Sequence, residues 1–343
     1  MNIIRPISEA DYSALYEIAN ESGVGFTSLP VNKKLLENKI SNAVSSFSPS
    51  NTELKQGSYL FVMEDEKGNV VGTSGIESSV GIEDAFYHYH VGKVVHASRE
   101  LKVHNTVELL TLCNDYTGVS EICTLFLKES ARSGINGRFL SKVRFLFMME
   151  HNQRFSETII AEMRGVSDEQ GRSPFWEWLD EHFFSMDFPT ADHLTGIGNK
   201  VFIAELMPKY PIYVNLLSKD AQKVIGKVHE KTKPALRLLE QEGFVNRGYI
   251  DIFDAGPTVE ANLCNIRTAQ QSQRLPVTIN DDAASEGNLF FIINTSVEHF
   301  RAVAAALSIC KKTQHAIISN ETAAALNIQN GDIVRFSAAV RFD

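Results

Sequence analysis

Residues 121–150, EICTLFLKESARSGINGRFLSKVRFLFMME, constrain the fold more than any other part of this chain. An apolar run comes first, a basic loop with Gly134 and Gly137 follows, and the last part, residues 139–149, is apolar on nearly every side. This order predicts a strand, a turn and a buried helix. The N-terminus of a helix presents unpaired backbone N–H groups and the positive end of the helix dipole, so the loop suits a phosphate group. Turns that contain glycine are also common in ordinary strand-to-helix connections, and the local pattern leaves both interpretations open.

Composition and charge exclude several classes of protein. The chain has 343 residues, of which 43% are hydrophobic and 22% charged, as is typical of a globular protein with one large domain or two. No apolar run approaches the roughly 20 residues of a membrane span, and the N-terminus lacks the pattern of a secretion signal, so we expect a cytoplasmic protein without membrane contact. The net charge of −9 disfavours nucleic-acid binding, although local basic groups can still bind an anionic ligand.

The cysteines and histidines do not have the spacing of a metal site. No C-x-x-C motif occurs, and the histidines of residues 80–117 lack the helical H-x-x-x-H spacing. His88 and His90 alternate as strand neighbours do, which favours polar or half-buried strand residues. We therefore expect no metal and no disulfide, and four buried thiols at Cys113, Cys123, Cys264 and Cys310.

Hydrophobic periodicity and capping residues predict alternating strands and helices over residues 1–260. Ser8 and Asp11 can cap the first helix, and Pro234 and Gly243 mark the start and the end of the last one. The predicted strands are residues 3–5, 59–64, 70–77, 122–127, 157–166 and 248–254, of which 122–127 and 157–166 should be parallel because a helix connects them. The other predicted helices are residues 33–45, 139–149, 173–179 and 218–228, with core aromatics at Phe183, Phe184 and Phe188. Residues 201–208 fit either a strand or a short helix.

The character of the sequence changes beyond about residue 260. Polar stretches at residues 267–274 and 280–287 predict a loop or linker. A short helix and an N-G-D turn lead into a last strand, as in small β-barrels. Before them, the predicted strands are residues 289–293, 301–308 and 315–318. We therefore divide the chain into a main domain, residues 1–260, and a small β-rich C-terminal subdomain, residues 261–343.

Three segments resemble the GNAT acyl-CoA N-acyltransferase superfamily. They are IRPISEADYSAL for its first strand and helix, FVMEDEKGNVVGTSGIE for its hairpin, and ALRLLEQEGF with YIDIF for its C-terminal helix and strand. The resemblance implies an α+β fold with a mixed, mostly antiparallel central sheet flanked by helices. In that superfamily the central loop reads Q/R-x-x-G-x-G/A, and its backbone amides bind the pyrophosphate of coenzyme A. Here the loop reads Arg132-Ser133-Gly134-Ile135-Asn136-Gly137, and Ile135 departs from the pattern because it stands where the first glycine is usual.

More specific blocks resemble the arginine N-succinyltransferase family. They include EICTLFL, LSKVRFLFM, IAEMRGV, FIAELMPKYPIY, DAQKVIGKVH and YIDIFDAGPT, and they extend to about residue 260. The resemblance implies transfer of a succinyl group from succinyl-CoA to the α-amino group of L-arginine. Succinyl-CoA is then a cosubstrate, and no tightly bound cofactor is expected. The family also implies an assembly of more than one chain, either homo- or hetero-oligomeric.

The resemblance to this family assigns roles to individual residues. His229 matches the proton acceptor, and a histidine with an unperturbed pKa of about 6.5 suits that role at neutral pH. The alternative is a loop histidine that caps or packs between two helices. Leu125 matches the acyl-CoA contact through its backbone, and it also fits a core leucine. The predicted pyrophosphate contacts are Arg132, Asn136 and Gly137.

Other charged residues near the predicted site each have two interpretations. Arg138 and Lys142 fit either charge partners of the pyrophosphate or a solvated basic face. Arg164 is a candidate partner for the carboxylate of the succinyl group. Three carboxylates fit either the guanidinium of arginine or structural salt bridges, namely Glu162, Asp251 and Asp254.

Two other functions stay open. A related acyltransferase of the same fold could act on ornithine or another amine, or use another acyl-CoA. A noncatalytic acyl-CoA-binding subunit could keep the fold without the reaction. Ile135 in the loop favours this second alternative, and His229 disfavours it.

Overall fold

The computed structural model describes residues 1–23, 28–50, 55–186, 190–191, 194, 201–281 and 287–339. Phe188, predicted as a core aromatic, lies outside these residues, as does most of the predicted linker at residues 280–287. Among the helices of the described residues, none combines the length and the apolar character that a membrane span requires.

The N-terminal elements form as the sequence predicts. They are β1 (Ile3–Pro6), α1 (Tyr12–Ser22), α2 (Lys33–Phe47), β2 (Ser58–Glu64) and β3 (Val70–Glu77). The Asp11 carboxylate accepts a hydrogen bond of 2.8 Å from the Ser8 N–H, which completes the predicted capping box. The antiparallel hairpin β2–β3 closes through Asp65, whose carboxylate accepts from the N–H groups of Lys67 and Asn69.

The next part of the chain contains one hairpin that the sequence did not predict. The elements are β4 (His88–Ser98), β5 (Val103–Cys113), β6 (Ser120–Leu127), α3 (Asn136–Glu150) and β7 (Thr158–Glu162). β6 and β7 are parallel, as predicted. β4 and β5 pair over their whole length, but most of their residues are partly or fully exposed, so no clear apolar alternation reveals them.

The segment after β7 is mainly helical. It contains α4 (Pro174–Leu179), α5 (Val201–Leu206), β8 (Ile212–Tyr213), α6 (Lys219–Val224) and α7 (Lys233–Glu242). Of the undecided residues 201–208, the first six therefore form a helix, and the helix predicted over residues 218–228 ends early, at Val224. Gly243 ends α7 in the left-handed conformation, with φ of +101°, as its predicted stop role requires.

Two predictions after α7 are wrong, the first because of a local turn and the second because of a tertiary contact. The strands here are β9 (Val245–Ile250) and β10 (Pro257–Asn262). The strand predicted over residues 248–254 ends at Ile250, since the Asp251 carboxylate accepts from the N–H groups of Phe253 and Asp254 and closes a turn. Residues 267–274, predicted as a loop, form α8 (Arg267–Gln271) and the start of β11 (Gln273–Ile279). The buried carboxylate of Glu242 accepts from the Thr268 N–H and holds α8 in place.

The last five strands close into a ring. The elements after β11 are β12 (Asn288–Asn294), β13 (Ala302–Cys310), β14 (His315–Ile318), α9 (Asn320–Leu326) and β15 (Ile333–Ala338). Each strand pairs with two others in the order β12-β15-β11-β14-β13, and β13 pairs again with β12. β13 also pairs with β1, which joins this small barrel to the main sheet. The proposed domain division after residue 260 stays a prediction.

The main sheet has helices on both faces. Its strand order is β1-β2-β3-β6-β7-β10-β9-β4-β5-β8, and β6–β7 is the parallel pair within it. Alternate residues of β2 face opposite sides: Leu60 and Val62 pack with α1 and α2, whereas Phe61 and Met63 pack with α3. The predicted fold class is confirmed, namely α+β with a mixed, mostly antiparallel sheet flanked by helices.

Candidate active site

The site begins where β6 and β7 separate. The two strands pair only at Ser120↔Ile159 and Glu121↔Ile160, although β6 continues to Leu127. On its other side β6 carries one residue more than β3 between Phe126 and Cys123. Within this bulge Thr124 adopts the left-handed conformation, with φ of +53°, which is uncommon for a residue other than glycine. The bulge re-aims the strand and leaves an open cleft between β6 and β7.

The cleft is the mouth of a cavity of about 1420 Å³. Residues 121–127 of β6 form one wall, and residues 161–164 at the end of β7 form another. The loop before α3, the first turns of α7 and residues 251–254 also line the cavity. Leu125 lies in the bulge and lines the cavity, in the place predicted for the acyl-CoA contact.

The loop before α3 carries a row of available backbone donors. In the part of the chain that the structure describes, the amides of Gly134, Ile135, Gly137 and Arg138 have no hydrogen-bond acceptor. Gly134 takes the left-handed conformation, with φ of +57°, whereas Ile135 has an ordinary φ of −103°. The glycine that the turn needs therefore stands one residue earlier than the family pattern suggests, and Ile135 does not prevent the loop from forming. Free amides at the start of a helix are suited to a phosphate.

Of the three residues predicted to contact the pyrophosphate, two line the cavity and one does not. Arg132 and Gly137 line the cavity, and the Arg132 Nε donates to the Leu127 carbonyl at 2.8 Å. Apart from its chain neighbours and the backbone of its own helix, a Cβ atom on Gly137 would meet no atom within 4 Å, so this side of the residue faces free space. Asn136 is not among the cavity-lining residues. Its side chain donates to the Ala131 carbonyl at 3.0 Å, and its N–H donates to the Ser133 carbonyl.

The two further basic residues that the sequence suggested lie in different surroundings. Arg138 lines the cavity. Lys142 instead forms an ion pair of 2.9 Å with Glu242, a carboxylate that is only 3% exposed. This pair joins α3 to α7, so Lys142 has a structural partner and is not part of a solvated face.

Replacing Lys142 with methionine is expected to lower the free energy of unfolding by about 3 kcal/mol, because Glu242 is left buried without its cation. Urea denaturation measures this change. The affinity for coenzyme A, measured by calorimetric titration, should stay the same. A loss of affinity with unchanged unfolding would show instead that Lys142 contacts the pyrophosphate.

His229 stands at the rim of the cavity. Its N–H donates to the Arg164 carbonyl at 2.9 Å, and Val228 pairs with Gly165, so this segment lies beside the end of β7. The ring Nδ1 accepts from the Lys231 N–H at 3.2 Å, which caps a short turn and leaves the proton of the neutral ring on Nε2. His229 does not itself line the cavity, but Arg164 and Lys231 do. The ring therefore has a capping contact, and it also lies next to the cleft.

The surroundings of His229 keep it neutral. Burial, and then the charges of Arg164 and Lys231, lower its pKa below the ordinary 6.5, and Glu230 opposes this shift. At neutral pH the imidazole is therefore a free base, as a proton acceptor must be.

The three candidate carboxylates at the acceptor side differ in availability. Asp254 is buried, and its two oxygens accept from the N–H groups of Gly165 and Gly256 at 2.6 and 2.8 Å. Burial and the neighbouring Asp251 raise the pKa of Asp254 well above its usual range. Asp254 is thus occupied as a structural group. Glu162 and Asp251 also line the cavity and stay candidates for a cationic substrate.

A family model described as arginine N-succinyltransferase beta subunit matches residues 2–268 of this chain, and one for the C-terminal domain of that subunit matches residues 273–338. The chain belongs to the arginine N-succinyltransferase family. An arginine N-succinyltransferase of Yersinia pestis (strain Pestoides F) is 47% identical over 339 residues, which cover 97% of this chain and 96% of that protein. The arginine N-succinyltransferase subunit beta of Pseudomonas aeruginosa is also 47% identical, with 97% of each chain covered.

A solved structure has the same fold as this member of the arginine N-succinyltransferase family. It is subunit AI of the arginine/ornithine succinyltransferase of Pseudomonas aeruginosa, with a TM-score of 0.89, 35% sequence identity, and 99% of each chain covered. The likeness extends over the main sheet and the C-terminal barrel together. The family assignment therefore does not depend on the central stretch alone.

The structure corrects two predictions about single residues of this family member. His88, predicted as polar or half-buried, is fully buried, and its Nε2 lies 2.9 Å from Glu162 Oε1. Burial lowers the pKa of His88 to about 4. The four cysteines are free, but they are not all buried, since Cys264 is exposed and the others are half-buried. Among the described residues, no group of three or more potential metal ligands occurs.

Sequence reasoning also missed several cavity-lining residues, of which Arg144 is the buried cation. It lies in the middle of α3, is 2% exposed, and lines the cavity. The signal was present in the sequence, because a guanidinium within a segment that is apolar on nearly every side needs a reason. The local pattern does not say what that reason is.

Proposed function

We propose that this protein transfers the succinyl group of succinyl-CoA to the α-amino group of L-arginine, giving N2-succinylarginine and coenzyme A. The observation that carries the proposal is the cleft between β6 and β7, which connects the unpaired amides of the loop before α3 with the rim at His229. Membership of the arginine N-succinyltransferase family over nearly the whole chain supports the choice of donor and acceptor. The predicted cytoplasmic location fits this reaction and stays a prediction.

The donor would enter from the loop end of the cleft. The amides of Gly134, Ile135, Gly137 and Arg138 can donate to the pyrophosphate oxygens, and Arg132 adds a positive charge. The pantetheine arm would then run between the splayed strands, where it can occupy the space that a continuous sheet would fill. This path brings the thioester to the bulge at Leu125.

The reaction is a direct displacement. The neutral amine attacks the thioester carbonyl, a C–N bond forms, the C–S bond breaks, the thiolate of coenzyme A leaves, and one proton leaves the nitrogen. Cys123 lines the cavity, but loss of hydration raises the pKa of its thiol to about 12, so it is a poor nucleophile at neutral pH. A covalent enzyme intermediate is therefore disfavoured.

His229 is the proposed proton acceptor. Its depressed pKa supplies a free base, and its position beside Arg164 supports a role at the acceptor end of the cleft. Because Nδ1 already accepts from the Lys231 N–H, the ring must exchange this hydrogen bond of 3.2 Å for the proton of the amine or of a bridging water.

The acceptor would lie between the rim and the acidic side of the cavity. Glu162 and Asp251 offer carboxylate oxygens to the guanidinium of L-arginine. Ornithine is the second candidate acceptor, since the structural relative is named an arginine/ornithine succinyltransferase. Two relatives are named as subunits, and this supports an assembly of more than one chain.

The test is a thiol-release assay with purified protein. Succinyl-CoA is combined in turn with L-arginine, L-ornithine, L-lysine and other amino acids, and acetyl-CoA replaces succinyl-CoA in a parallel series. We expect the highest kcat/KM for succinyl-CoA with L-arginine. A preference for acetyl-CoA would contradict the choice of donor, and a preference for ornithine would change the acceptor. Coenzyme A binding without any thiol release would favour the noncatalytic subunit.

A further inference from the structure

Arg144 is a buried cation without a counter-ion. It makes three hydrogen bonds, all to neutral groups: Nε donates to the Ser141 carbonyl, Nη2 to the Ser141 hydroxyl, and Nη1 to the Cys123 carbonyl. Their lengths are 3.1, 3.1 and 3.4 Å. No carboxylate among the described residues lies within 4.0 Å of it. A guanidinium has five N–H donors. Two N–H groups of Arg144 therefore have no acceptor among the described residues.

An uncompensated buried charge destabilises a protein unless a partner arrives. Burial lowers the pKa of Arg144 to about 10, and no carboxylate opposes this shift. At neutral pH the group still carries its positive charge. The apolar surroundings that make the isolated charge unfavourable would also strengthen its attraction for an anion.

Arg144 lies close to the bulge where the thioester of succinyl-CoA is proposed to bind. Its side chain extends from α3 to the carbonyl of Cys123, which directly precedes the bulge at Thr124 and Leu125. Arg144 lines the cavity together with Leu140 of α3 and Ala161 of β7. It therefore lies at the floor of the cleft, beneath the splayed part of β6.

We propose that Arg144 binds the terminal carboxylate of the succinyl group and so selects the acyl chain of the donor. The inference rests on the proposed function, because it uses the same cleft and the same donor. A succinyl group carries its carboxylate two methylene groups beyond the thioester carbon. With the thioester at the bulge, an acyl chain that points away from coenzyme A into the floor of the cleft brings that carboxylate to the two remaining donors of Arg144.

Arg164, the candidate that the sequence suggested, has different surroundings. It is half-buried, its Nη2 donates to the Ser167 hydroxyl at 3.0 Å, and its carbonyl holds the His229 segment. Its charge lies near the imidazole, where it lowers the pKa of His229. Arg164 thus belongs to the rim, whereas Arg144 belongs to the floor where the acyl chain ends.

The test compares succinyl-CoA with butyryl-CoA, which has the same acyl length but ends in a methyl group. In the wild-type protein we expect a strong preference for succinyl-CoA in kcat/KM. In Arg144→Met, kcat/KM for succinyl-CoA should fall by about 10²-fold or more while that for butyryl-CoA stays within a few fold, so that the preference is lost. Arg144→Lys keeps the charge and should retain part of the preference.

A second buried arginine provides the matched control. Arg154 is 9% exposed and donates to the Tyr59 hydroxyl at 2.9 Å, but it does not line the cavity. Arg154→Met should leave the ratio of the two donors unchanged. Arg144 would be a structural residue only, and the proposal wrong, if Arg144→Met lowered kcat/KM for both donors in parallel.

Binding measurements separate this proposal from the proposed function. Calorimetric titration gives Kd for succinyl-CoA and butyryl-CoA with the wild type and with Arg144→Lys and Arg144→Met, and it does not require turnover. A wild type that releases no thiol but binds succinyl-CoA more tightly than butyryl-CoA, through Arg144, would contradict the function and support the carboxylate site. A wild type that binds both donors equally would overturn the site. If Arg144→Met does not fold, the loss or retention of preference in Arg144→Lys relative to Arg144→Gln decides the question.

Discussion

Replacing His229 with alanine or asparagine is expected to lower kcat by about 10²-fold or more, with little change in the affinity for coenzyme A. The reason is that the imidazole would no longer accept the proton of the attacking amine. Stopped-flow or steady-state thiol release measures kcat, and calorimetric titration measures the affinity. Unchanged turnover in both variants would remove the role of proton acceptor.

The asparagine variant separates proton transfer from capping. In the present structure the Nδ1 atom of His229 accepts from the Lys231 N–H, and an asparagine Oδ1 can take over that contact but cannot accept a proton at neutral pH. If capping alone matters, His229→Asn should be nearly as active as the wild type, and only His229→Ala should be impaired. If His229 is the base, both variants should be impaired equally.

The pH dependence of kcat/KM is an independent test of His229 as the proton acceptor. The surroundings lower the pKa of His229, so its active, neutral form predominates above a pKa that lies below 6.5. For the wild type, kcat/KM should therefore rise with pH through an apparent pKa below 6.5 and level off above it. This acidic limb should be absent from both His229 variants.

Replacing Gly137 with valine is expected to weaken coenzyme A binding by about 10²-fold, or about 2.7 kcal/mol. The first atom of the added side chain would meet no atom within 4 Å apart from its chain neighbours and the backbone of its own helix, so the protein can accommodate it, but the pyrophosphate could not approach the amides. Calorimetric titration with coenzyme A measures the loss. The melting temperature should stay close to that of the wild type.

Gly92→Val serves as the control for that substitution. Gly92 lies in β4, away from the cavity, and a Cβ atom there would meet only the His90 ring, at 3.9 Å. This variant should bind coenzyme A as the wild type does. Equal affinity in Gly137→Val and the wild type would show that the pyrophosphate does not lie on this loop.

The elements that sequence patterns predicted well are those with a local cause. The capping box of Ser8 and Asp11, the hairpin β2–β3 with its Asp65 turn, and the helix that ends at Gly243 all depend on residues a few positions apart. Their hydrogen bonds form within the segment itself. The sequence therefore predicts them without knowledge of the rest of the chain.

The elements that sequence patterns missed have either a weak pattern, a competing local turn or a distant cause. The hairpin β4–β5 shows little apolar alternation. Asp251 turns the chain where a strand was predicted, and Glu242 anchors a helix where a loop was predicted. The Asp251 turn is local and competes with the strand pattern, whereas the Glu242 contact joins two segments whose proximity depends on the tertiary fold, which composition and periodicity do not contain.

The candidate site also has features that the local sequence predicts and features that only the tertiary structure decides. The order of strand, loop and helix in residues 121–150 was sufficient to predict an anion-binding helix start, because free amides at a helix N-terminus are a property of the helix itself. Only the tertiary structure decided that Gly134 takes the left-handed turn in place of Ile135, that Lys142 is bound to Glu242, and that Arg144 reaches the floor of the cleft. The physical reason is that the sequence shows which residues are charged, but not which residues surround them. The burial and the pairing of a charge depend on the neighbours that the tertiary structure provides.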